Sequence, residues 1–460
     1  MTKLFGNAVV RQYLVILSAN LSTLCLGLSV AWTSPMLVKL TQGDGTGLRP
    51  VSDEEGSWVA SVGILVSIPV HFVIGYLSDK IGRKTCLVMG CVPRLSMCVT
   101  LLCASEVWMV LLARAIDGLA LGSVLAVIAA YSSEVASKEV RGALGATCQV
   151  SSAAGMLVFL GVAPFLSYFH VNLAFFCISA AVCVPLCLLP ESPYYLYSKG
   201  RTEESLKVLT YLRASESLAH DEITQYELSR NEATNSLSVK EILKDCITLR
   251  TVGKVIVMSV LLELTGYNAV LFHMMTIFKL SATSVSDDVS SVVIGCIQLL
   301  ACLFTISLTD WIGRKPILVA TLCGMAVGMV GLGTFFYLKD QDYIISGALN
   351  FMPLISMILV IFSFNAGLGS LFWTLLAELF DSHARAVGVS IGTFTAATFV
   401  FLTTKYFVSV ISSVGPALTY WSFSVVCILN ALFVMICIPE TKNKTFMEIQ
   451  MELGRSFKTT

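Results

Sequence analysis

Long apolar windows, separated by short polar segments, recur along the whole chain. A window of about 20 apolar residues is the length that an α-helix needs to cross a lipid bilayer. Twelve such windows occur, so the pattern predicts an all-α membrane protein with twelve transmembrane helices. The windows run from Tyr13 to Leu37, Gly56 to Leu77, Thr85 to Ala104, Val107 to Tyr131, Ala143 to Leu166, Val171 to Leu189, Thr251 to Phe278, Val289 to Leu308, Pro316 to Leu338, Ile345 to Leu376, Ala386 to Val410 and Pro416 to Ile438.

The seventh and tenth windows are longer than a bilayer requires, and both carry glycines in mid-run. Glycine weakens a helix interior, so we expect a tilt or a break in these two spans. Glycines also recur at four-residue spacing, Gly118 with Gly122 and Gly324 with Gly328. This spacing predicts that the helices pack closely at these points.

A polar segment, residues 192–250, divides the spans six and six. Leu206, Leu209 and Leu212 recur in it at helical spacing, which predicts short amphipathic helices against the cytoplasmic face. The predicted divisions are residues 1–191, an N-terminal six-helix half; 192–250, the linker; 251–438, a C-terminal six-helix half; and 439–460, a cytoplasmic tail.

Composition agrees with a membrane protein. Of the 460 residues, 56% are hydrophobic and only 13% are charged, with a mean hydropathy of +0.80. These values exclude a soluble enzyme of this size. All but one of the 15 cysteines fall inside apolar windows, the exception being Cys246, so we expect no disulfide framework.

Basic residues are divided unevenly between the two sides of the predicted bundle. With the N-terminus inside, only Lys39, Arg49, Lys279 and Lys339 of the 30 lysines and arginines fall on the outer side. An excess of basic residues marks cytoplasmic loops, so both termini are predicted to be cytoplasmic. The equal numbers of basic and acidic residues leave no net charge that would attract nucleic acid.

Two arginines lie inside predicted spans. Arg114 and Asp117 are three residues apart on one helix, where opposite charges can neutralise each other. Arg94 follows Pro93, whose ring frees the backbone carbonyl of Met89. We therefore expect Arg94 to cap that carbonyl or to extend toward the membrane surface.

Three motifs recur in the same order in both halves of the chain, at offsets of 231, 244 and 249 residues. They are Asp79–Lys84 and Asp310–Lys315 after the second and eighth spans, Glu134 with Arg141 and Glu378 with Arg385 after the fourth and tenth, and Glu191 and Glu440 after the sixth and twelfth. The pattern predicts two pseudo-symmetric six-helix halves that arose by a parallel duplication.

The motifs bring acids and arginines to the cytoplasmic ends of the helices. Basic residues alone would only set the topology, but matching acids at fixed spacing favour ion pairs in which four glutamates accept from four arginines. Such pairs suit two repeats that rock about a midplane site. We name these residues the cytoplasmic charge cluster: Asp79, Arg83, Glu134, Arg141, Glu191, Asp310, Arg314, Glu378, Arg385 and Glu440.

These motifs resemble those of the sugar porter family of the major facilitator superfamily, over nearly the whole chain. The resemblance rests on the two G-R-K loops, the E-x6-R-G pattern that begins at Glu134, and the P-E-S-P and P-E-T-K segments that close the halves. The segments Trp32–Pro35 and Ser57–Trp58 resemble the facilitated trehalose transporter-like branch found in insects. The resemblance implies the major facilitator fold and transport of a sugar.

A neutral sugar requires amides for its hydroxyls and an aromatic ring for its C–H face. The resemblance places Gln149, Asn268 and Trp373 at sugar-binding positions of the fifth, seventh and tenth spans, and Gln298 where relatives commonly have asparagine. Each amide alone can equally serve as a hydrogen bond between helices. Together with the tryptophan they predict a sugar site.

Glu263 departs from the family's pattern, because relatives carry two glutamines where this chain has Leu262 and Glu263. It lies about 17 Å into its helix, near the bilayer midplane, where an unpaired carboxylate is costly. Three interpretations stay open, in order of preference. The first is that Glu263 accepts hydrogen bonds from the substrate, the second is that it loads and releases a proton, and the third is that it pairs with a cation as part of the structure.

The sequence therefore predicts a facilitative carrier of a neutral sugar, trehalose or a hexose, that works by alternating access. The alternatives are proton-coupled symport through Glu263 and a sugar sensor that does not transport. Relatives that use protons place an acid in the first span, and none occurs between Tyr13 and Leu37.

The sequence contains neither a phosphate-binding loop nor a pair of metal-ligand histidines. We therefore expect no enzymatic activity, cofactor or metal. We expect a multi-pass monomer of the plasma membrane rather than of an internal one, whose partners are the sugar and the lipid bilayer.

Overall fold

A computed structural model describes residues 2–43, 45–137, 139–233, 245–281, 286–343, 345, 347–380, 384–440 and 451. These residues form nineteen α-helices and one 3₁₀ helix, Gly347–Phe351, and no β-strand. The α-helices are α1 Thr2–Gln42, α2 Asp53–Ile81, α3 Arg83–Met89, α4 Cys91–Leu102, α5 Val107–Val135, α6 Arg141–Val162, α7 Tyr168–Leu188, α8 Pro193–Ser198, α9 Thr202–Arg213, α10 Glu216–Ala233, α11 Cys246–Leu264, α12 Tyr267–Phe272, α13 Met274–Ser281, α14 Asp287–Ile312, α15 Arg314–Asp340, α16 Met352–Ala366, α17 Leu368–Glu378, α18 Arg385–Val414 and α19 Pro416–Cys437.

Twelve helical segments, from Ala8–Gln42 to Pro416–Cys437, are long and apolar enough to cross a membrane. The prediction of an all-α protein with twelve transmembrane helices is confirmed. Several helices extend past the apolar windows because polar side chains cap their first turns. In α2, Ser52 and Glu55 form a capping box, so the helix begins before the window does.

The described residues divide into two compact units. The first contains the residues up to Trp32 and those from Lys39 to the end of α10. The second contains Thr33–Val38 and the described residues from Asp245 onward. The linker helices α8, α9 and α10 therefore fall in the first unit.

Glycines bring helices of the first unit into backbone contact. A Cβ atom added to Gly118 of α5 would lie 2.3 Å from the carbonyl oxygen of Gly63 in α2, and one added to Gly122 would also be too close to α2. Between α1 and α6, a Cβ atom added to Gly27 would lie 1.9 Å from the carbonyl oxygen of Ser152. The close packing predicted for Gly118 and Gly122 is confirmed.

The second unit uses the same device between α15 and α16. A Cβ atom added to Gly324 would lie 2.5 Å from Ser363 Oγ, and one added to Gly328 would lie 2.8 Å from the carbonyl oxygen of Ser356. This pair of glycines therefore also lies at a close helix contact, as its spacing predicts.

The seventh and tenth spans are both interrupted at a glycine, as predicted. Gly266 separates α11 from α12 at φ +79°, a conformation that glycine adopts without strain, and a Cβ atom there would lie 2.3 Å from the Phe423 ring. Gly367 separates α16 from α17, and a Cβ atom there would lie 2.0 Å from Thr321 Oγ1. Neither position has room for a side chain.

The linker helices are fixed to the end of the fourth span. Leu209 and Leu212 of α9 are fully buried, as the amphipathic pattern predicts. Arg213 at the end of α9 donates two hydrogen bonds to Glu222 of α10, at 2.8 and 2.9 Å. Its Nη1 donates to the carbonyl oxygen of Val135, the last residue of α5, at 2.9 Å. Arg213 therefore caps the fourth span and holds α10 at the same time.

We expect Gly118→Ala to lower the unfolding temperature of the detergent-solubilised protein. The added methyl group would force α2 and α5 apart, and overpacking of this kind costs about 1–3 kcal/mol. Gly75→Ala is the matched control in α2, because a Cβ atom there meets no atom within 4 Å. Equal unfolding temperatures for the two variants would show that the backbone contact between α2 and α5 contributes nothing to stability.

Candidate functional site

The break in the seventh span places an acid and an amide side by side. Asn268 on α12 donates a hydrogen bond from Nδ2 to Glu263 Oε2 on α11, at 2.6 Å. Glu263 is only 5% exposed. Among the described residues no lysine, arginine or histidine pairs with it. The structural ion pair, the third interpretation from the sequence, is therefore not met in the described part of the chain.

Glu263 is also the last residue but one of α11. Beyond it the backbone turns, and the N–H group of Gly266 donates to the carbonyl oxygen of Glu263 at 3.2 Å. The C-terminal end of a helix carries a partial negative charge. The acidic side chain and the C-terminal end of α11 therefore lie at the same break, directly before the start of α12.

The other predicted substrate-binding residues differ in their exposure. Gln298 on α14 is buried, whereas Trp373 on α17 is 49% exposed and stands edge-to-face against Phe372 at 5.1 Å. Gln149 lies on an exposed position of α6 in the first unit, while the remaining four belong to the second unit. Trp373 thus offers an open aromatic ring, and Gln149 offers an open amide.

A cluster that the sequence reasoning missed links the two interrupted spans of the second unit. The Tyr267 ring stacks on the Phe364 ring, with centroids 3.4 Å apart. Asn365 donates from Nδ2 to the Tyr267 hydroxyl at 3.1 Å and to the carbonyl oxygen of Ile361 at 2.8 Å. The available signal was an amide in an apolar window, two residues before Gly367.

A second polar cluster lies inside the first unit. Asp117 on α5 forms ion pairs with Arg94 of α4 and, at 2.8 Å, with Arg114 of its own helix. All three residues are buried. Ser29 of α1 donates to Asp117, and the Arg114 guanidinium lies 5.2 Å from the centroid of the Trp32 ring. The cluster therefore ties the first, third and fourth spans together.

This cluster confirms one sequence prediction and overturns another. Arg114 is neutralised by Asp117, as expected from their spacing. The expectation that Arg94 would cap the Met89 carbonyl or extend to the membrane surface is wrong. Arg94 points into the unit because the Asp117 carboxylate offers it a charge there, which a single backbone carbonyl does not.

The cytoplasmic charge cluster of the first unit contains two kinds of contact. Arg83 at the start of α3 pairs with Glu134 of α5 at 3.1 Å and with Asp79 of α2 at 2.8 Å. Glu191 was expected to accept from an arginine, but it accepts from the backbone N–H group of Lys84 at 3.0 Å. It therefore caps the beginning of the third span.

The second unit repeats the arrangement with a looser ion pair. Arg314 Nη2 lies 3.7 Å from Glu378 Oε1, and in the described part of the chain Arg314 Nε and Glu378 Oε2 have no hydrogen-bond partner. Glu440 accepts from the backbone N–H groups of Arg314 and Lys315 at 3.1 and 3.0 Å. The backbone cap is thus common to both copies of the duplication.

Of the remaining predicted members of the charge cluster, Arg141 takes no part in these contacts. Arg141 donates to the carbonyl oxygen of Ala136 at 3.5 Å and forms no ion pair with a described residue. The side chains of Asp310 and Arg385 lie outside the part of the chain that the structure describes.

Comparison with known proteins supports the fold and the family. The sequence model described as "Sugar (and other) transporter" matches residues 19–453. The facilitated trehalose transporter Tret1 of Bombyx mori is 31% identical over 449 residues, which cover 96% of this chain and 86% of the relative. Tret1 of Anopheles gambiae is 28% identical over 449 residues, 96% of this chain but 56% of that longer protein.

A solved structure shares the architecture. It is the major facilitator superfamily proton:xylose symporter XylE bound to 6-bromo-6-deoxy-D-glucose, with a TM-score of 0.76 and 21% identity. The alignment covers 97% of this chain and 99% of XylE. The chain therefore has the major facilitator fold, and it is an integral, multi-pass membrane protein.

Replacing the acid of the buried cluster should unfold the first unit more easily. Asp117→Asn removes the carboxylate that Arg94 and Arg114 share, and breaking a buried ion pair from one side costs about 3–5 kcal/mol. We expect a clearly lower unfolding temperature in detergent, partly restored by Arg94→Met in the same protein. Glu204→Gln, which removes an acid from an exposed pair with Arg201, should change little. An Asp117→Asn protein as stable as the control would contradict this role.

Proposed function

Because the chain belongs to the Sugar (and other) transporter family, we propose that it carries a neutral sugar across the membrane by facilitated diffusion. The Tret1 relatives are named as facilitated trehalose transporters, so we assign trehalose or a hexose as the cargo. The observation that carries the assignment is the half-exposed indole of Trp373, an open aromatic surface within a broken span.

The substrate contacts in this proposal are Gln149, Glu263, Asn268, Gln298 and Trp373. An indole packs on the C–H face of a sugar ring, while amides and a carboxylate bind its hydroxyls. The break in the seventh span supports this arrangement, because transporter folds commonly bind their substrates at interrupted helices.

We assign uniport rather than proton symport to the chain. No acid occurs in the first span between Tyr13 and Leu37. Asp117, the acid nearest to that span in the first unit, is held by two arginines and by Ser29. Asp117 therefore has a structural role as the counter-ion that both guanidinium groups share.

The halves 1–191 and 251–438 are the bodies that move in this mechanism, and the cytoplasmic charge cluster biases them toward one state. Both states must stay populated during transport, so the net bias must be a few kcal/mol, because about 5.5 kcal/mol turns a 1:99 equilibrium into 99:1. Ion pairs at partly exposed sites have energies of this size or less.

The remaining features of the proposal concern the setting of the protein. We place it in the plasma membrane as a monomer. We assign both termini to the cytoplasm, because most basic residues lie on that side of the predicted topology. Lipid and sugar are its partners, and neither enzymatic activity nor a cofactor is part of the mechanism.

Uptake into proteoliposomes tests the function. The purified protein should take up trehalose or a hexose with saturation, and an imposed pH gradient should not change the rate. Trp373→Ala should raise KM about five- to tenfold, because the stacking surface for the sugar ring is lost. Trp108→Ala removes a tryptophan that is 60% exposed on α5 and should leave KM unchanged.

Absence of saturable uptake across a broad panel of sugars would overturn the proposed function. Uptake that follows the pH gradient, and becomes insensitive to it in Glu263→Gln, would replace uniport by symport. If the protein bound a sugar but showed no counterflow of labelled sugar, it would be a sensor and not a carrier.

Arg314→Ala and Glu378→Ala test the role of the charge cluster. Loss of this pair should shift the resting state toward inward-facing, because the cytoplasmic ends of α15 and α17 lose an attraction within the second unit that the proposed bias uses. A Gln149→Cys reporter should then react faster with a thiol reagent added from the cytoplasmic side. Arg201→Ala, which breaks an exposed pair in the linker, is the control. Equal labelling rates in all variants would count against the mechanism.

A further inference from the structure

Glu263 has no positive charge to balance it among the described residues, and we propose that the cargo supplies one: the site selects sugars that carry an ammonium group. This inference rests on the proposed function and widens its cargo from neutral sugars to amino sugars. It makes Glu263 a specificity-determining residue, not only a hydrogen-bond acceptor for hydroxyl groups.

The environment of the carboxyl group is the first observation. Glu263 is 5% exposed, so water screens it little. Its Oε2 accepts from Asn268 Nδ2 at 2.6 Å, whereas no described group donates to Oε1. A buried carboxyl group that lacks a cation is costly to ionise, and a cation that binds beside it would stabilise the carboxylate form.

The end of α11 is the second observation, and it is independent of the side chain. The helix stops one residue after Glu263, and its C-terminal carbonyl groups carry partial negative charge. No lysine or arginine occurs in the last turn of α11 to offset that charge. The start of α12 at Tyr267 brings the opposite partial charge to the same break, but α12 has only 6 residues. In transporters the C-terminal ends of broken helices commonly contribute to cation sites.

The available oxygens fit an ammonium group better than a metal ion. Calcium or magnesium requires about six oxygen ligands. Among the residues that the structure describes, no group of three or more acids, histidines or cysteines is placed to hold a metal. An ammonium group has three N–H donors and makes directional hydrogen bonds to a few acceptors.

Asn268 completes the acceptor set. A carboxylate only accepts hydrogen bonds, so the contact at 2.6 Å fixes the amide with its nitrogen toward Glu263. The Asn268 oxygen is thereby left to accept from the cargo. Oε1 of Glu263 and Oδ1 of Asn268 accept no hydrogen bond from a described residue. A site of this kind favours a charged donor over a neutral hydroxyl.

The expected discrimination follows from hydrogen-bond strengths. Bonds to charged partners are roughly twice as strong as neutral ones, and each tenfold change in affinity corresponds to about 1.4 kcal/mol. We expect an amino sugar to compete for the site about tenfold better than the hexose with a hydroxyl group at the same position.

The test measures competition in proteoliposomes that contain the full chain, at about pH 7.5, where much of a sugar amine is still protonated and a carboxyl group ionises more readily than in acid. D-Glucosamine, D-glucose and N-acetyl-D-glucosamine are compared as inhibitors of labelled glucose uptake, because the acetylated sugar keeps the nitrogen but loses the charge. Glucosamine should inhibit about tenfold more strongly than the other two. In Glu263→Gln the ratio of glucosamine to glucose inhibition should fall to about one.

Glu227→Gln removes an exposed acid of α10 and should leave the ratio unchanged. Equal inhibition by glucosamine and glucose in the unmodified protein would overturn the inference while leaving sugar transport intact. A preference for glucosamine over glucose that persists in Glu263→Gln would also overturn the inference.

Thermal stabilisation in detergent keeps the inference testable if no sugar is transported. Greater stabilisation by glucosamine than by glucose or N-acetyl-D-glucosamine in the unmodified protein, lost in Glu263→Gln, would support the ammonium site even though the proposed function had failed. Equal stabilisation by the three sugars would overturn it.

Discussion

Charge removed from water must be paired, and this constraint governs the interior of both units. The first unit meets it largely from within, because Asp117 lies between Arg94 and Arg114 and also accepts from Ser29, although two arginines share one acid. The second unit does not, because the acid of its broken seventh span has only an amide as its described partner. In a bilayer the cost of an unpaired charge is large enough to decide which residues bind each other and which stay available to bind cargo.

The two copies of the duplicated motif show which part of it the fold requires. In both copies a glycine at φ close to +105° turns the chain, Gly82 in the first and Gly313 in the second. The glutamate at the end of each half, Glu191 or Glu440, then caps the helix that begins directly after that glycine. At Gly82 an added Cβ atom would lie 2.2 Å from the Glu191 carboxylate, so the turn and the cap depend on each other. The ion pairs beside them differ, at 3.1 Å for Arg83 with Glu134 and 3.7 Å for Arg314 with Glu378. The backbone cap is therefore the common structural element, and the ion pair is the element that varies.

Periodic apolar windows and paired motifs were enough to predict the twelve spans, the two glycine breaks and the close helix contacts, because each depends on local sequence. Contacts between distant segments were harder to predict. Arg94 pairs with an acid 23 residues away on another helix, and Arg213 caps a carbonyl of Val135, 78 residues earlier. Spacing along one helix reveals neither contact. The acid Glu191 was assigned the wrong partner for the same reason, since a sequence pattern counts side chains and does not show a backbone N–H group that needs a cap.

Binding and release of cargo require polar groups that the protein leaves unsatisfied, and the two units differ in this respect. Asp117 and Arg114 are bound within the first unit and have little left to offer a ligand. In the second unit one oxygen of Glu263 at the helix break has no described donor, and Trp373 of the tenth span has an open ring. Gly266 produces this arrangement, because its φ of +79° ends α11 one residue after the acid. The same break that interrupts the helix thus places a buried acid where a bound cation would stabilise its ionised form.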